Sequence, residues 1–257
     1  MTTHKEQVLK FWNQRAQYHQ NAGTNDFMLK HLEEAVLLER IPRCVEVLDI
    51  GCGNASTLIQ LIKQKECTGV GVDYADNLLN LAEQLAMYNN VQAKLKLIKR
   101  DVRQLGDDLG HFNYITTQRC LINLETEEEQ KDVFHSICQL LKPGGYYYMI
   151  EAFNDGNRTL NKMRDIFHLE PITPPWHNKF FELNDVLSWT NLYPVNVREV
   201  SHFASTYYFL SRVIYAKLAS DHGEALRYDS EINQISMALP AIGEFGATKL
   251  VVWQKTE

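Results

Sequence analysis

The chain has 257 residues, of which 45% are hydrophobic and 23% charged; this composition is that of a folded globular protein and excludes a disordered or collagen-like chain. Its length fits one large α/β domain and is short for two catalytic domains. A net charge of −6 lacks the basic excess typical of nucleic-acid binding, so we expect no nucleic-acid partner.

The amino terminus and the cysteines indicate a cytoplasmic protein. Residues 1–20 mix charges and lack the apolar core of a secretory signal, and no apolar run approaches the roughly 18 to 20 residues of a membrane span. The five cysteines are odd in number and lack CxxC spacing, which argues against a disulfide framework and a thiolate zinc site. The nine histidines also lack metal-ligand spacing. We therefore expect no membrane contact and no bound metal.

Residues 1–43 predict two amphipathic helices joined by a polar loop at 21–26, with Pro42 ending the second helix. The pattern changes at Val45, where short β-branched runs begin to alternate with helical runs. In chain order these runs are VEVLDIG, STLIQLIKQK, CTGVGVD, DNLLNLAEQLA and AKLKLIKRD. Such alternation predicts βαβ units and a parallel sheet with helices on both faces.

A fourth strand is predicted at Phe112–Gln118 and a fifth at Gly145–Phe153. Between them, Thr126 and Glu129 have the spacing of a capping box that opens a helix. Residues 154–198 are rich in Asn, Pro and aromatic residues without a strong period, which indicates an insertion or lid. The remaining predictions are a strand at 197–200, a strand or helix at 207–219, a helix at 231–239 and a last strand at 249–254.

The turn after the first strand, Asp49-Ile50-Gly51-Cys52-Gly53, has the composition of a ligand site. Two glycines allow a ligand to approach bare backbone, and the following helix directs its amide end toward that ligand. Asp73 ends the next strand, where a carboxylate can accept both hydrogen bonds of a ribose diol. The combination predicts a nucleotide-like cofactor.

Two cofactor classes compete for this turn. A dinucleotide fingerprint has a third glycine where this chain has Ser56, which disfavours a nicotinamide cofactor. Asp49 places a second negative charge beside the ligand, which suits the cationic ammonium and sulfonium of S-adenosylmethionine.

Four motifs, in order and at strand ends, resemble the class I S-adenosylmethionine-dependent methyltransferases over about residues 45–153. They are Asp49-x-Gly51-x-Gly53, Asp73, Asp101-Val102 and Leu141-Lys142-Pro143-Gly144-Gly145. The resemblance implies an α/β, Rossmann-like, doubly wound sheet of seven mostly parallel strands in the order 3-2-1-4-5-7-6, with the last strand antiparallel. It divides this single domain into a helical cap (1–43), a cofactor-binding core (44–153), an acceptor-side insertion (154–215) and the carboxyl-terminal part of the sheet (216–257).

The resemblance also implies which residues hold S-adenosylmethionine. The glycines would face the methionine and ribose, Asp49 the amino group, Asp73 the ribose, and Asp101 with the Val102 amide the adenine. The full cofactor set is Tyr18, Thr24, Asp49, Gly51, Cys52, Gly53, Asp73, Tyr74, Asp101, Val102 and Gln118. In the resemblance, the amino-terminal helices form a lid, with Trp12 and Arg15 available to close it.

The acceptor is predicted from the run Gln118–Leu124, which resembles bacterial small-molecule members of the family, several of them associated with surface polysaccharide. The Asn-Pro-Pro-Tyr signature of DNA-amino methyltransferases is absent there. A small polar acceptor follows, methylated on oxygen or else on nitrogen. Its expected binding residues are Arg119, Asn123, Arg164 and Asn178.

Two residues are candidates for a general base, since a sugar hydroxyl must lose its proton. They are His177 and Glu151, and for each a structural role is the more common one for a residue in that position. A phosphate or phosphoramidate acceptor is already ionised and needs no base; Arg119, Arg158 and Arg164 would then hold it. We expect a monomer or homodimer. Two alternatives stay open: a nicotinamide-dependent oxidoreductase, and a non-catalytic protein that binds S-adenosylmethionine as a sensor or partner subunit.

Overall fold

A computed structural model describes residues 2–256. The strands are β1 Glu46–Ile50, β2 Thr68–Asp73, β3 Leu95–Lys99, β4 Phe112–Gln118, β5 Leu141–Ala152, β6 Val195–Ser201 and β7 Thr248–Lys255. They form one sheet in the order β3-β2-β1-β4-β5-β7-β6. Strand β7 is antiparallel to both of its neighbours and the other pairs are parallel. The predicted fold class and strand order are confirmed.

Helices cover both faces of the sheet and its carboxyl edge. They are α1 His4–Arg15, α2 Phe27–Arg40, α3 Ser56–Lys65, α4 Asp76–Tyr88, α5 Glu127–Leu140, α6 Asn154–Ile166, α7 Leu183–Leu187, α8 Ser205–Phe209, α9 Tyr215–His222 and α10 Glu231–Ala238. A π-helical turn, Leu210–Ile214, joins α8 to α9. Within residues 2–256, none of the helices is both long and apolar enough to span a membrane.

Side chains alternate along β1, so this strand contributes to the hydrophobic core on each face of the sheet. Val47 packs on one face with Leu58 of α3, whereas Leu48 and Ile50 pack on the other with Phe134 of α5. All five side chains are fully buried. A strand buried on both faces reads as a continuous apolar run, which is why β1 was recognisable in the sequence.

The amino- and carboxyl-terminal predictions hold with shifted ends. Both amino-terminal helices are present, and a 3-10 segment, Ala16–Asn21, extends the first into the loop. The capping box of Thr126 and Glu129 opens α5. The segment left open between strand and helix at 207–219 is helical, and the predicted helix at 231–239 and strands at 197–200 and 249–254 are present.

Residues 154–198, which show no strong period in the sequence, contain the 13-residue helix α6. The helix begins with Asn-Asp-Gly-Asn, residues of poor helix propensity that concealed it, while Leu160 and Met163 pack inward. Gly156 is tolerated because a Cβ there would lie 2.0 Å from the Gly246 carbonyl oxygen. Close packing between two backbones therefore outweighs the propensity cost. The division into cap, core and insertion stays a prediction.

Candidate functional site

A cleft lies beyond the carboxyl ends of the strands and encloses about 940 Å³, part of it open to solvent. In an open α/β sheet this is where ligands bind. Eleven of the predicted site residues line it: Asp49, Gly51, Cys52, Gly53, Asp73, Tyr74, Asp101, Val102, Gln118, Arg119 and Asn123. One wall of the cleft comes from α1, through Lys5, Val8 and Trp12.

The turn after β1 requires its glycines. Gly51 and Gly53 have φ of +73° and +55°, a region that residues with side chains rarely adopt. A Cβ on Gly51 would also lie 2.3 Å from the Sγ of Cys120. The first glycine is therefore fixed both by its dihedral angles and by contact with the turn after β4.

Asp73 is held by the same turn. Its Oδ2 accepts a hydrogen bond from the Gly53 amide (2.8 Å) and its Oδ1 from the Ala75 amide (2.9 Å). The carboxyl group is 7% exposed, and burial raises its pKa. Because each oxygen has a second lone pair, this carboxylate can still accept from a ribose diol in the cleft.

Asp49 lies deeper and supplies a second negative charge. It accepts from the hydroxyl of Thr116 (2.7 Å), and burial raises its pKa to about 6 against the opposing effects of that bond and of Lys30. A cationic group placed in the cleft beside Asp49 would favour its ionised form.

Asp101 is surrounded by donors. The Lys5 ammonium lies 2.7 Å from its Oδ2, and the Arg103 amide donates to its Oδ1 at 3.0 Å. The Arg103 guanidinium completes the shell. Burial opposes ionisation, but these donors outweigh it and lower the pKa of Asp101. The lid helix thus contacts the residue that the family resemblance assigns to adenine.

The turn after β4 also lines the cleft. Gln118 donates to the Thr57 hydroxyl (2.8 Å). Arg119 has φ of +52°, and its guanidinium lies 3.2 Å from the fully buried Glu33. Asn123 accepts from the indole N–H of Trp12 (3.2 Å), which joins the turn to α1.

Two predicted lid residues lie outside the cleft lining. Tyr18 is 51% exposed and stacks against the Arg15 guanidinium, whose nitrogens donate to the loop at the carbonyls of Asn21 and Ala22. The Thr24 hydroxyl accepts from the Asp26 amide. These contacts shape the loop, and Gly23 is the residue of the loop that reaches the cleft.

Both base candidates also lie outside the cleft lining. His177 packs on Phe11 with ring centroids 4.3 Å apart, and burial lowers its pKa to about 4. Glu151 is fully buried and accepts from three backbone amides, those of residues 120–122. Neither side chain is among the residues that line the cleft, and their assignment as general bases stays a prediction.

Two predicted acceptor residues are likewise placed elsewhere. Arg164 is 9% exposed and donates to the carbonyls of Glu170 (2.7 Å) and Arg212, which ties α6 to the π-helical turn. Asn178 lies in the loop at residues 174–178, which covers α1 and is called the covering loop. The Oδ1 of Asn178 is buried without a partner. The Pro- and Trp-rich composition of this loop did not indicate which face of the molecule it covers.

Several cleft residues were missed in the sequence. Lys5, Lys30, Asn54, Leu78 and Arg103 line the cleft in addition to the predicted set. Asn54 and Arg103 directly follow recognised motifs, so their position was a usable signal. Lys5 and Lys30 lie on amphipathic helices, where nothing local distinguishes them from solvated lysines.

Comparison with known proteins identifies the core. Residues 47–145 match the protein-family model described as a methyltransferase domain. A sterol 24-C-methyltransferase of Debaryomyces hansenii is 24% identical over 124 residues, covering 46% of this chain and 32% of that protein. The ubiquinone/menaquinone biosynthesis C-methyltransferase UbiE of Azotobacter vinelandii is 26% identical over 132 residues, covering 51% of each protein.

Solved structures share the fold at low identity. Magnesium protoporphyrin IX methyltransferase from Synechocystis PCC 6803, with bound S-adenosylhomocysteine, matches with a TM-score of 0.56 and 15% identity over 90% of this chain and 82% of that chain. The [4+2]-cyclase SpnF matches with a TM-score of 0.60 and 16% identity over 87% and 80%. The chain spans only about a third to a half of the length of the two curated relatives named above. Residues 47–145 of this chain are thus similar to a methyltransferase domain, and a methyltransferase of the same fold is solved with S-adenosylhomocysteine bound.

Proposed function

We propose that this chain, whose core over residues 47–145 is an S-adenosylmethionine-dependent methyltransferase domain, transfers the methyl group to an oxygen of a small polar metabolite. The observation that carries the proposal is that one cleft is lined by two chemically different sets of side chains. The strand-end carboxylates Asp49, Asp73 and Asp101 form one set, and Lys30, Arg119 and Asn123 form the other.

The carboxylate end fits the cofactor. Asp73 suits the ribose hydroxyls, Asp101 the adenine amine and Asp49 the ammonium of the methionine part. The positive φ and close contact at Gly51 leave backbone, with no side chain, beneath the ligand. When bound, S-adenosylmethionine supplies a methyl group on a sulfonium, which is already a good electrophile. The protein's part is therefore to position the acceptor and exclude water.

The lid helix supplies the cover. Val8 and Trp12 line the cleft from α1, and α1 is fastened to the core where the Asn77 amide donates to Asn13 Oδ1 (2.9 Å). Trp12 is also bonded to the acceptor end through Asn123. We infer that closure of α1 shields the reacting groups from water.

We further propose that the acceptor oxygen is already ionised, as in a phosphate or phosphoramidate group. The side chains of Lys30 and Arg119 are cationic, and the cleft lining within the described residues contains no histidine. An ionised oxygen needs no base, whereas a sugar hydroxyl does. Together with the resemblance of residues 118–124 to surface-polysaccharide enzymes, this supports a role in surface-glycan or capsule modification.

The first experiment is calorimetric titration with S-adenosylmethionine, S-adenosylhomocysteine and NADH. We expect the two adenosyl ligands to bind with micromolar affinity, and Asp73→Ala to weaken both. Asp76→Ala is the matched control, because Asp76 lies three residues after Asp73, is exposed and pairs with Lys99. Binding of NADH alone would instead identify an oxidoreductase.

Acceptor screening follows, with S-adenosylhomocysteine release as the readout. Phosphorylated sugars and nucleotide sugars are compared with neutral sugars and with quinols. Methylation of the anionic set supports the proposal, and exclusive methylation of neutral sugars or carbon acceptors overturns the acceptor assignment. Cofactor binding without turnover on any of these sets would favour a non-catalytic binding protein; the fold shared with a [4+2]-cyclase illustrates that architecture alone does not determine the reaction.

A further inference from the structure

The turn after β4 is supported from below by a buried carboxylate. Glu151, near the end of β5, has no solvent exposure. Its Oε1 accepts from the amides of Cys120 (3.1 Å) and Leu121 (3.0 Å), and its Oε2 accepts from the amide of Ile122 (3.3 Å). Both oxygens are thus committed to three consecutive backbone donors.

The physical need for this carboxylate lies in the turn. Residues Leu121–Asn123 form a 3-10 segment, and the first amides of any helical segment have no acceptor within it. Buried amides without acceptors are costly, and an acceptor that carries charge binds them more strongly than a neutral one. Glu151 therefore satisfies a whole row of donors that the sheet cannot reach.

The same turn carries three contacts of the cleft. Arg119 adopts its left-handed conformation with its amide bonded to the Ile150 carbonyl (2.8 Å), next to Glu151. Cys120 occupies the space that a side chain at Gly51 would need. Asn123 receives the indole of Trp12 from the lid. A shift of the turn would therefore disturb the floor of the cleft, its cationic end and its cover together.

We propose that Glu151 is a positioning residue for the methyl-transfer site. It holds the turn at 119–123 in the position where that turn contacts both the turn at 51–53, which we call the cofactor turn, and the helix α1. The role of the site rests on the proposed function, whereas the coupling of Glu151 to the lid does not.

Hydrogen-bond acceptance rather than shape is the decisive property of Glu151: burial raises its pKa to about 7, while the amides of residues 120–122 favour the ionised form. The polar groups close to it are the Cys120 thiol and the hydroxyls of Thr117 and Tyr147. Lys249 lies opposite it in the β5–β7 register, but its ammonium pairs with Asp155 at 2.8 Å. The amide dipoles are therefore what balances the carboxylate. Glu151→Gln keeps the shape but directs an N–H₂ group at the backbone donors.

The test compares Glu151→Gln with Tyr147→Phe. Tyr147 lies on the same strand, is equally buried and loses only its hydroxyl contact to Thr117 (2.8 Å) in the control. The two readouts are the Kd of S-adenosylhomocysteine by calorimetry and the indole N–H resonance of Trp12 in protein with ¹⁵N-labelled tryptophan, assigned with Trp12→Phe. We expect Glu151→Gln to raise the Kd about tenfold and to shift the Trp12 resonance. Tyr147→Phe should change neither.

The outcomes separate the two proposals. Equal behaviour of the two variants in both readouts would reduce Glu151 to a structural residue and overturn the inference. If wild-type protein fails to bind S-adenosylhomocysteine, the proposed function fails, while the Trp12 resonance still decides the role of Glu151. Should Glu151→Gln not fold, Glu151→Asp replaces it: the shorter carboxylate is expected to shift the Trp12 resonance, and an unchanged resonance would contradict the proposal.

Discussion

The two ends of the cleft are built in different ways. At the cofactor end, Asp73 bonds to the amide two residues later and to the neighbouring turn, and Asp101 bonds to the amide of Arg103. At the acceptor end, Trp12 bonds to Asn123 across 111 positions of sequence. The first end is formed mainly by adjacent strand ends, to which α1 adds the ion pair of Lys5 with Asp101, whereas the second depends on the contact between α1 and the turn after β4.

This difference governs how each end tolerates change. Asp73 is held by backbone amides, so its substitution should act locally on ligand affinity. The acceptor end depends on tertiary contacts made by α1, the 119–123 turn and the covering loop. Substitutions there should change ligand affinity, the free energy of unfolding or both. A substitution that changes only the free energy of unfolding marks a residue outside the cleft.

The largest effect is expected for Gly51→Ala, which tests how tightly the two ends meet. The new Cβ combines an unfavourable φ of +73° with a contact of 2.3 Å to the Cys120 Sγ. We expect a loss of about 3 kcal/mol in the free energy of unfolding, measured in urea, with loss of S-adenosylhomocysteine binding. Gly144→Ala is the control, since its φ is +74° with nothing within 4 Å of the new Cβ; about 1 kcal/mol is expected. Equal losses would mean that Cys120 does not press on the cofactor turn.

Arg164→Met should lower stability without affecting the cleft. The substitution removes charged hydrogen bonds to the carbonyls of Glu170 and Arg212, and we expect a loss of about 2 kcal/mol in the free energy of unfolding. Affinity for S-adenosylhomocysteine and turnover with the screened acceptor should stay unchanged. If instead the variant keeps its stability and its KM for an anionic acceptor rises, Arg164 contributes to acceptor binding and the prediction is wrong.

The cofactor end could be predicted from sequence because topology does most of the work. Once alternating strands and helices imply a parallel sheet, the residues at the carboxyl ends of β1, β2 and β3 must share one edge. Asp49, Asp73 and Asp101 therefore needed no knowledge of tertiary packing. The recognisable turn also fixed Gly51 and Gly53, whose positive φ the structure confirms.

The acceptor end is harder to predict, because the type of a residue does not show which way its side chain points in the folded protein. Arg164 and His177 have side chains suited to chemistry, but one binds carbonyls between helices and the other packs on Phe11. Lys30 looks like an ordinary helix lysine and yet lines the cleft. Which of these faces a ligand depends on how α1 and the covering loop pack, and that is set by contacts distant in sequence.

A smaller effect is expected in the pH dependence of cofactor binding. Burial raises the pKa of Asp49 from 3.8 to about 6, so in the free protein its contribution to stability falls as the pH rises through that interval. A cationic ligand beside it favours ionisation, so binding releases a proton and the affinity for S-adenosylmethionine should increase as the pH rises through about 6. We expect a gain of several-fold between pH 5 and pH 7 by calorimetry. Asp49→Asn should flatten this part of the profile, and an unchanged slope in that variant would assign it to another group.

The smallest effect is expected for His177→Phe, which separates the covering loop from the chemistry. The imidazole is neutral at pH 7 because its pKa is lowered to about 4, and its Nδ1 is buried without a partner. Phenylalanine keeps the stacking on Phe11 and removes that unsatisfied nitrogen. The free energy of unfolding, measured by thermal denaturation, should therefore change by less than about 1 kcal/mol in either direction. Turnover should be unchanged, whereas Trp12→Phe, which removes the bond to Asn123, should weaken closure and raise the Kd of S-adenosylhomocysteine. A stable His177→Phe protein that had lost turnover would show that the histidine reaches the acceptor. The covering loop would then have to move during the reaction to bring His177 to the cleft.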